Sequence, residues 1–168
     1  GSCFQFSIRL LKSDQSIQVM PHIDVSKLSL LVIDDNTINR EVLRGQLELW
    51  GCYVEEAASA SVALLKLERR CEHKQSLFDV IFVDMQMPEM DGATFAVKIR
   101  SDKRFNDLPM VMMTSMSTKG DKKYFTELGF SAYFSKPVTG SDILDALAII
   151  KSNPEHPDLS QPIITHQY

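Results

Sequence analysis

The fold is decided by residues 28–35, LSLLVIDD, in which an apolar run ends in two aspartates. Short apolar runs of this length are typical of strands that are buried on both faces of a sheet. Similar runs occupy residues 80–83 (VIFV), 110–113 (MVMM) and 130–134 (FSAYF), and residues 52–57 (CYVEEA) are a weaker fifth candidate. We therefore predict five strands.

Apolar residues at helical spacing lie between and after these runs. We expect helices at residues 38–50 with a stop at Gly51, from Ser59 or Ser61, after Asp91-Gly92, before a stop at Gly129, and from Thr139 or Ser141. A strand followed by a helix, five times over, predicts right-handed crossovers and a parallel sheet covered on both faces. The predicted fold class is α/β, doubly wound.

Composition excludes several classes of protein. The 168 residues carry a formal net charge of −4, which gives no basic footprint for nucleic acid. No apolar run approaches the roughly 20 residues that cross a bilayer. Cys3, Cys52 and Cys71 are dispersed, which favours reduced thiols in a cytosolic setting over a disulfide framework or a zinc site.

Polar residues follow four of the predicted strands. Ligands bind beyond the carboxyl ends of the strands of an open parallel sheet. The residues at these ends are Asp34 and Asp35 after the first strand, Asp84 after the third, Thr114 after the fourth and Lys136 after the fifth. We expect three carboxylates, a hydroxyl and an ammonium to converge on one edge of the sheet.

This set of groups predicts phosphoryl chemistry with a divalent cation. Clustered carboxylates repel one another, and Mg²⁺ relieves the repulsion because it prefers carboxylate, phosphate and water oxygens. An aspartate can attack phosphorus to give an acyl phosphate, while a lysine and Mg²⁺ stabilise the charge of the transferring group. Taken singly, Asp34-Asp35 or Asp84 could equally be helix caps, whereas Lys136 would more often be a solvated turn residue and Thr114 a structural one. Their joint occurrence at the ends of four strands favours a site.

The same residues resemble the receiver domain of two-component response regulators, over about residues 28 to 150. The resemblance implies a flavodoxin-like sheet of five strands in the order 2-1-3-4-5 with five helices. The segments that carry it are LVIDDN (31–36), DMQMPEMDG (84–92), MTS (113–115) and KP (136–137).

The resemblance also implies roles for individual residues. Asp84 corresponds to the phosphoacceptor, and Thr114 and Lys136 correspond to the hydroxyl and lysine that contact the phosphoryl group. Tyr133 corresponds to an aromatic switch residue, whose movement alters the face formed by the fourth helix, fifth strand and fifth helix. The implied Mg²⁺ ligands are Asp35, Asp84 and the backbone carbonyl of Gln86, with Asp34 acting mainly through a bound water.

Short flanking segments resemble parts of hybrid sensor histidine kinases. Residues 35–40 (DNTINR) resemble the start of their receivers, residues 1–8 (GSCFQFSI) the closing strand of a kinase ATP-binding domain, and residues 162–166 (PIITH) a segment that follows a receiver. The expected division is a flank with the end of an ATP-binding domain and a linker at 1–26, a receiver at 27–151 and a linker at 152–168.

The expected function is that of a phosphorelay module in the cytoplasm. A histidine kinase or a histidine phosphotransfer domain would be the partner, alongside neighbouring domains of the same polypeptide. Neither nucleic acid nor a membrane would be contacted by this part of the chain, although the parent protein could be membrane-anchored. It would not itself be an enzyme beyond losing its own phosphoryl group, whereas the parent would be a histidine kinase.

Two other functions stay open. The chain could be a docking module that does not depend on phosphorylation, against which the complete acidic set argues. It could be an aspartate-nucleophile phosphatase, but that class needs a second acid two residues after the nucleophile, where this chain has Gln86.

Overall fold

The structure is a computed structural model that describes residues 24–115 and 121–152. Five strands and five helices alternate along these two ranges, as the sequence predicts. They are β1 (Ser29–Ile33), α1 (Thr37–Leu49), β2 (Tyr53–Ala57), α2 (Ala60–Glu72), β3 (Val80–Asp84), α3 (Gly92–Ser101), β4 (Met110–Thr114), α4 (Asp121–Glu127), β5 (Ala132–Ser135) and α5 (Gly140–Ser152).

The strands form one parallel sheet in the order β2-β1-β3-β4-β5. This confirms the predicted doubly wound, flavodoxin-like order. Every residue of β3 and β4 is buried, because helices cover both faces of the sheet at its centre. Their unbroken apolar sequences follow from that position.

The edge strand β2 is more polar because each of its faces meets basic residues of a helix. Glu55 pairs with Lys66 and Arg70 of α2, with a nitrogen–oxygen distance of 2.7 Å in each case. On the opposite face, Glu56 lies 3.7 Å from Arg40 of α1. These ion pairs accommodate the charged residues of β2, which is held in the sheet by parallel pairing with β1.

Helix capping falls to residues other than the aspartates of the predicted site. Asn36 caps α1 by accepting hydrogen bonds from the backbone N–H groups of Ile38 and Asn39. Asp91 caps α3 by accepting from the N–H of Thr94 at 2.7 Å. The aspartates after β1 and β3 therefore do not serve as caps of these two helices.

Two open choices between capping residues are also settled. Ser59, not Ser61, caps α2, because its side chain accepts from the N–H of Val62. At α5, Thr139 and Asp142 exchange hydrogen bonds between their side chains and backbone N–H groups, so that Thr139 rather than Ser141 opens the helix.

The segment before β1 packs onto the domain. Val25 is buried, and the N–H of Lys27 donates to the carbonyl of Gly51 at 2.8 Å. Gly51 has a φ of +83°, which suits glycine at the turn after α1. The flanking resemblances at residues 1–8 and 162–166 lie outside the described residues. No helix in the described ranges has the length and apolar character needed to cross a membrane.

Candidate functional site

Four strands deliver polar side chains to one edge of the sheet. Asp34 directly follows β1, Asp84 and Thr114 are the last residues of β3 and β4, and Lys136 directly follows β5. Asp34, Asp84 and Thr114 are buried at 1%, 4% and 3% exposure, so they sit in a pocket and not on the surface. The structure thus brings together the residues that the sequence places at strand ends.

Lys136 joins the two buried carboxylates. Its ammonium nitrogen lies 2.8 Å from Oδ2 of Asp34 and 2.9 Å from Oδ1 of Asp84. Oδ1 of Asp84 is shielded from solvent and has no well-aligned hydrogen-bond donor in the described part of the chain, so the ion pair alone balances it. One ammonium therefore contacts two carboxylates, so that a further cation could bind without an excess of positive charge.

The pKa values of Asp84 and Lys136 also indicate that the pocket is short of positive charge. Burial raises the pKa of Asp84 above its ordinary value, and the nearby charge of Asp34 adds to the rise, although Lys136 and the backbone N–H of Gln86 oppose it. For Lys136 burial acts to lower the pKa, but its contacts with both aspartates outweigh burial and the pKa is raised. Among the described residues, the pocket carries more carboxylates than cations, and a bound cation would relieve this excess of negative charge.

The three aspartates fit a hard divalent cation. One carboxylate oxygen from each of Asp34, Asp35 and Asp84 can be chosen so that all three lie within 4.8 Å of one another. Asp35 is exposed and the other two are buried, so a cation could enter from the side of Asp35. An all-oxygen donor set suits Mg²⁺. Gln86 lies in the exposed loop after β3.

The loop after Asp84 folds back tightly. The N–H of Gly92 donates to the carbonyl of Met85 at 3.0 Å. A Cβ at position 92 would lie 2.6 Å from the carbonyl oxygen of Asp84, which is too close for any side chain. Gly92 therefore sets how closely the start of α3 approaches Asp84.

Thr114 and Tyr133 lie on neighbouring strands beside the pocket. The carbonyl of Thr114 accepts from the N–H of Lys136 at 2.7 Å, which ties the end of β4 to the residue after β5. Tyr133 is buried at 6% exposure, and its ring centroid lies 5.1 Å from that of Phe125 in α4. The predicted switch residue thus bridges β5 and α4.

Two residues that the sequence analysis gave no role also contact the site. The side-chain amide of Asn39 lies 3.2 Å and 3.4 Å from the two carboxylate oxygens of Asp34, and Arg40 donates to the carbonyl of Asp34 at 2.7 Å. Both stand in the first turns of α1, directly beyond the Asn36 cap. In the sequence, polar residues five and six positions after the strand-end Asp34 are the signal that could have indicated these contacts.

An apolar cleft of about 230 Å³ opens beside the pocket, between α1 and the start of α5. Its lining includes the polar residues Asp34, Asn39 and Lys136 and the apolar residues Val32 and Met113 of β1 and β4. Its outer rim includes Val42 of α1. The cleft therefore connects the charged pocket to a helix surface.

Comparisons with known proteins identify the family to which this fold belongs. The family model of the response regulator receiver domain matches residues 30–148. The chain is 35% identical over 111 residues to the sensor histidine kinase CheAY of Helicobacter pylori, covering 66% of this chain and 13% of that protein. It is 33% identical over 138 residues to the hybrid signal transduction histidine kinase L of Dictyostelium discoideum, covering 79% of this chain and 8% of that protein.

A solved structure agrees with these sequence matches. The chemotaxis protein CheY4 of Vibrio cholerae superposes with a TM-score of 0.65 at 27% identity, covering 73% of this chain and 98% of that one. The fold and its acidic strand-end pocket define a receiver domain of two-component signalling. The chain belongs to the response regulator receiver family. It spans only about a tenth of the length of the two kinases that it matches.

Proposed function

We propose that this chain is the phosphoryl-accepting receiver of a phosphorelay, with Asp84 as the acceptor. The observation that carries the proposal is the placement of Lys136 between Asp34 and Asp84, at 2.8 Å and 2.9 Å. A buried aspartate with an oxygen free of aligned donors, a lysine in contact and two further carboxylates nearby is a site equipped for phosphoryl transfer.

The transfer balances as a simple displacement. A carboxylate oxygen of Asp84 forms a bond to the phosphorus while the bond between phosphorus and the donor imidazole breaks. The electron pair returns to the imidazole, and the product is an acyl phosphate. With acetyl phosphate as donor, a phosphorus–oxygen bond breaks instead and acetate leaves.

Each neighbouring residue has a task in this proposal. Lys136 contacts the phosphoryl oxygens once Asp84 no longer carries its full charge, and the Thr114 hydroxyl donates to another of these oxygens. Mg²⁺, when bound, neutralises charge on the transferring group. It would be held by Asp35, Asp84 and the Gln86 carbonyl, with Asp34 acting through water.

A labelling experiment tests the site. The chain would be incubated with Mg²⁺ and acetyl phosphate, and its intact mass measured for the wild type, Asp84→Asn and the matched control Asp107→Asn, which changes an exposed aspartate. We expect one phosphoryl group on the wild type and the control and none on Asp84→Asn. Equal labelling of Asp84→Asn would contradict the assignment. No labelling of the wild type, by acetyl phosphate or by a phosphorylated histidine partner, would contradict the function.

The donor is proposed to dock on α1. Ile38 and Val42 are each 69% exposed, and Leu49 is 82% exposed. These side chains recur at helical spacing on one face of α1, and Val42 among them lines the cleft. Because the donor histidine must come within bonding distance of Asp84, an apolar surface beside the pocket is where a kinase or phosphotransfer domain would bind.

Docking can be tested separately from the chemistry by comparing two phosphoryl donors. Val42→Glu should slow labelling by a phosphotransfer domain that labels the wild type, while labelling by acetyl phosphate stays unchanged. The matched control is Val97→Glu on α3, where the valine is 56% exposed. Equal slowing in both variants would contradict docking on α1.

The switch is proposed to run from Thr114 to Tyr133. A phosphoryl group on Asp84 would draw the Thr114 hydroxyl toward it, and the packing of Tyr133 against Phe125 offers a route from there to α4. Beryllofluoride, which mimics the phosphoryl group, should shift the amide NMR signals of Tyr133 and α4. Shifts confined to the aspartate pocket would contradict this switch.

The chain is further proposed to act within a larger kinase, with the receiver at 27–151 between a flank at 1–26 and a linker at 152–168. The two kinases described above support this, since each contains a segment similar to the chain.

A further inference from the structure

We propose that Asn39 is a positioning residue that orients the Asp34 carboxylate for cation binding. The inference rests on the proposed function, because it concerns the Mg²⁺ site of that proposal. Its basis is the contact of the Asn39 amide nitrogen with both carboxylate oxygens of Asp34, at 3.2 Å and 3.4 Å.

Neutral donors can hold Asp34 without repelling a cation. It is 1% exposed, and its other donors among the described residues are Lys136 at 2.8 Å, which is charged, and the backbone N–H of Asn36 at 2.8 Å, which is neutral. Lys136 is also in contact with Asp84, so any anion attached there competes for its ammonium. A neutral amide can hold the carboxylate without opposing the approach of Mg²⁺, which a second lysine or arginine could not do.

The helix fixes the position of this amide. Asn36 caps α1 and accepts from the N–H of Asn39 itself. Arg40 donates to the Asp34 carbonyl at 2.7 Å and to the Thr37 hydroxyl at 3.1 Å. These contacts hold the backbone of Asp34 and the start of α1 together. They thereby fix the position of Asn39 relative to the Asp34 carboxylate.

Helix preferences do not explain an asparagine here. Asn39 is exposed, and alanine has the higher helix propensity. The first turn of a helix also favours acidic residues, yet α1 has none in its first turn. A neutral donor at this position fits the need to face Asp34.

The test measures Mg²⁺ affinity on the full chain by calorimetric or amide NMR titration. Asn39→Ala should weaken Mg²⁺ binding by about tenfold, the lower end of the range for residues that orient a metal site, because Asp34 acts on the ion through water. Its thermal midpoint without Mg²⁺ reports separately on folding. The matched control is Gln46→Ala, two turns further along α1 at the cleft, which should bind Mg²⁺ like the wild type.

A second variant tests the contact itself. At an ordinary helix start Asn39→Asp would be stabilising. Here it places a carboxylate against Asp34, so we expect a lower thermal midpoint than the wild type without Mg²⁺ and a larger rise on adding it. A midpoint equal to or above that of the wild type would overturn the proposal.

The outcomes separate this inference from the proposed function. If the wild type binds Mg²⁺ and Asn39→Ala binds it equally well, Asn39 does not position Asp34, while the proposed site stands. If the wild type shows no saturable Mg²⁺ binding, the proposed metal site itself fails, and this inference fails with it.

Discussion

The ammonium of Lys136 lies 2.9 Å from Oδ1 of Asp84, an oxygen that has no aligned hydrogen-bond donor among the described residues. The contact reaches across the edge of the sheet from the end of β5 to the end of β3. It balances the charge of the Asp84 carboxylate but leaves hydrogen-bonding capacity on that group unused. A lysine placed in this way can hold Asp84, the proposed acceptor, ionised in the resting protein and still be released to an incoming phosphoryl group.

Lys136→Met should therefore destabilise the protein in a way that Mg²⁺ corrects. The substitution leaves two buried carboxylates without their cation, which should lower the free energy of unfolding by about 2 kcal/mol. Mg²⁺ should restore more stability to this variant than to the wild type, as measured by urea unfolding with and without the ion. Lys123→Met is the control, because that side chain is 85% exposed. Equal responses of the two variants to Mg²⁺ would argue against the account.

Gly92→Ala should disturb the loop after Asp84. The added Cβ would meet the Asp84 carbonyl at 2.6 Å, so the backbone must move, and we expect slower labelling by acetyl phosphate together with a loss of about 1–3 kcal/mol in stability. Gly140→Ala is the control, since its Cβ would lie 3.5 Å from the Trp50 ring, an ordinary contact. Labelling of Gly92→Ala at the wild-type rate would show that the close approach is not needed.

Gly45→Ala should stabilise the fold. Gly45 lies inside α1, and a Cβ there would meet no atom within 4 Å. Alanine is favoured over glycine inside a helix by up to about 1 kcal/mol, and urea unfolding should show a gain of that order. Gly51→Ala should do the reverse because of the positive φ of +83°. A loss of stability in Gly45→Ala would contradict the open space that the structure shows beside Gly45.

Glu55→Gln should change how stability depends on pH. Burial acts to raise the pKa of Glu55, but the hydrogen bonds from Lys66 and Arg70 outweigh it and the pKa is lowered. A lowered pKa contributes stability above the unfolded value of about 4.3, and that stability is lost as the pH falls through the folded value.

The variant should consequently be less stable than the wild type at pH 7, by less than about 1 kcal/mol because the side chain is 39% exposed. The difference should shrink as the pH falls below about 4. Glu127→Gln is the control, since its partner Lys123 is exposed. A difference that stays constant down to acid pH would contradict the assigned ion pairs.

The strand-end residues could be predicted because their positions follow from chain order alone. Once residues 28–33 and 80–83 are taken as parallel strands, Asp34 and Asp84 must reach the same edge. The continuous apolar runs of the central strands made that inference secure, and the order of the strands came from the resemblance.

Other parts of the site depend on side-chain geometry and could not be predicted. Asn36, and not an aspartate, caps α1, although both are good caps. The reach of Asn39 to Asp34 depends on how α1 leaves the loop, and the cleft depends on the spacing between α1 and α5. These features arise from helix packing, which the sequence pattern does not specify.

The most direct measurement locates the phosphoryl group on the chain. After incubation with acetyl phosphate and Mg²⁺, borohydride reduces an aspartyl phosphate to homoserine, which peptide mass spectrometry assigns to one position. We predict homoserine at position 84 and at no other aspartate, and none when acetyl phosphate is left out. Homoserine at Asp34 or Asp35 instead, or unmodified Asp84 in a chain that has gained a phosphoryl group, would contradict it.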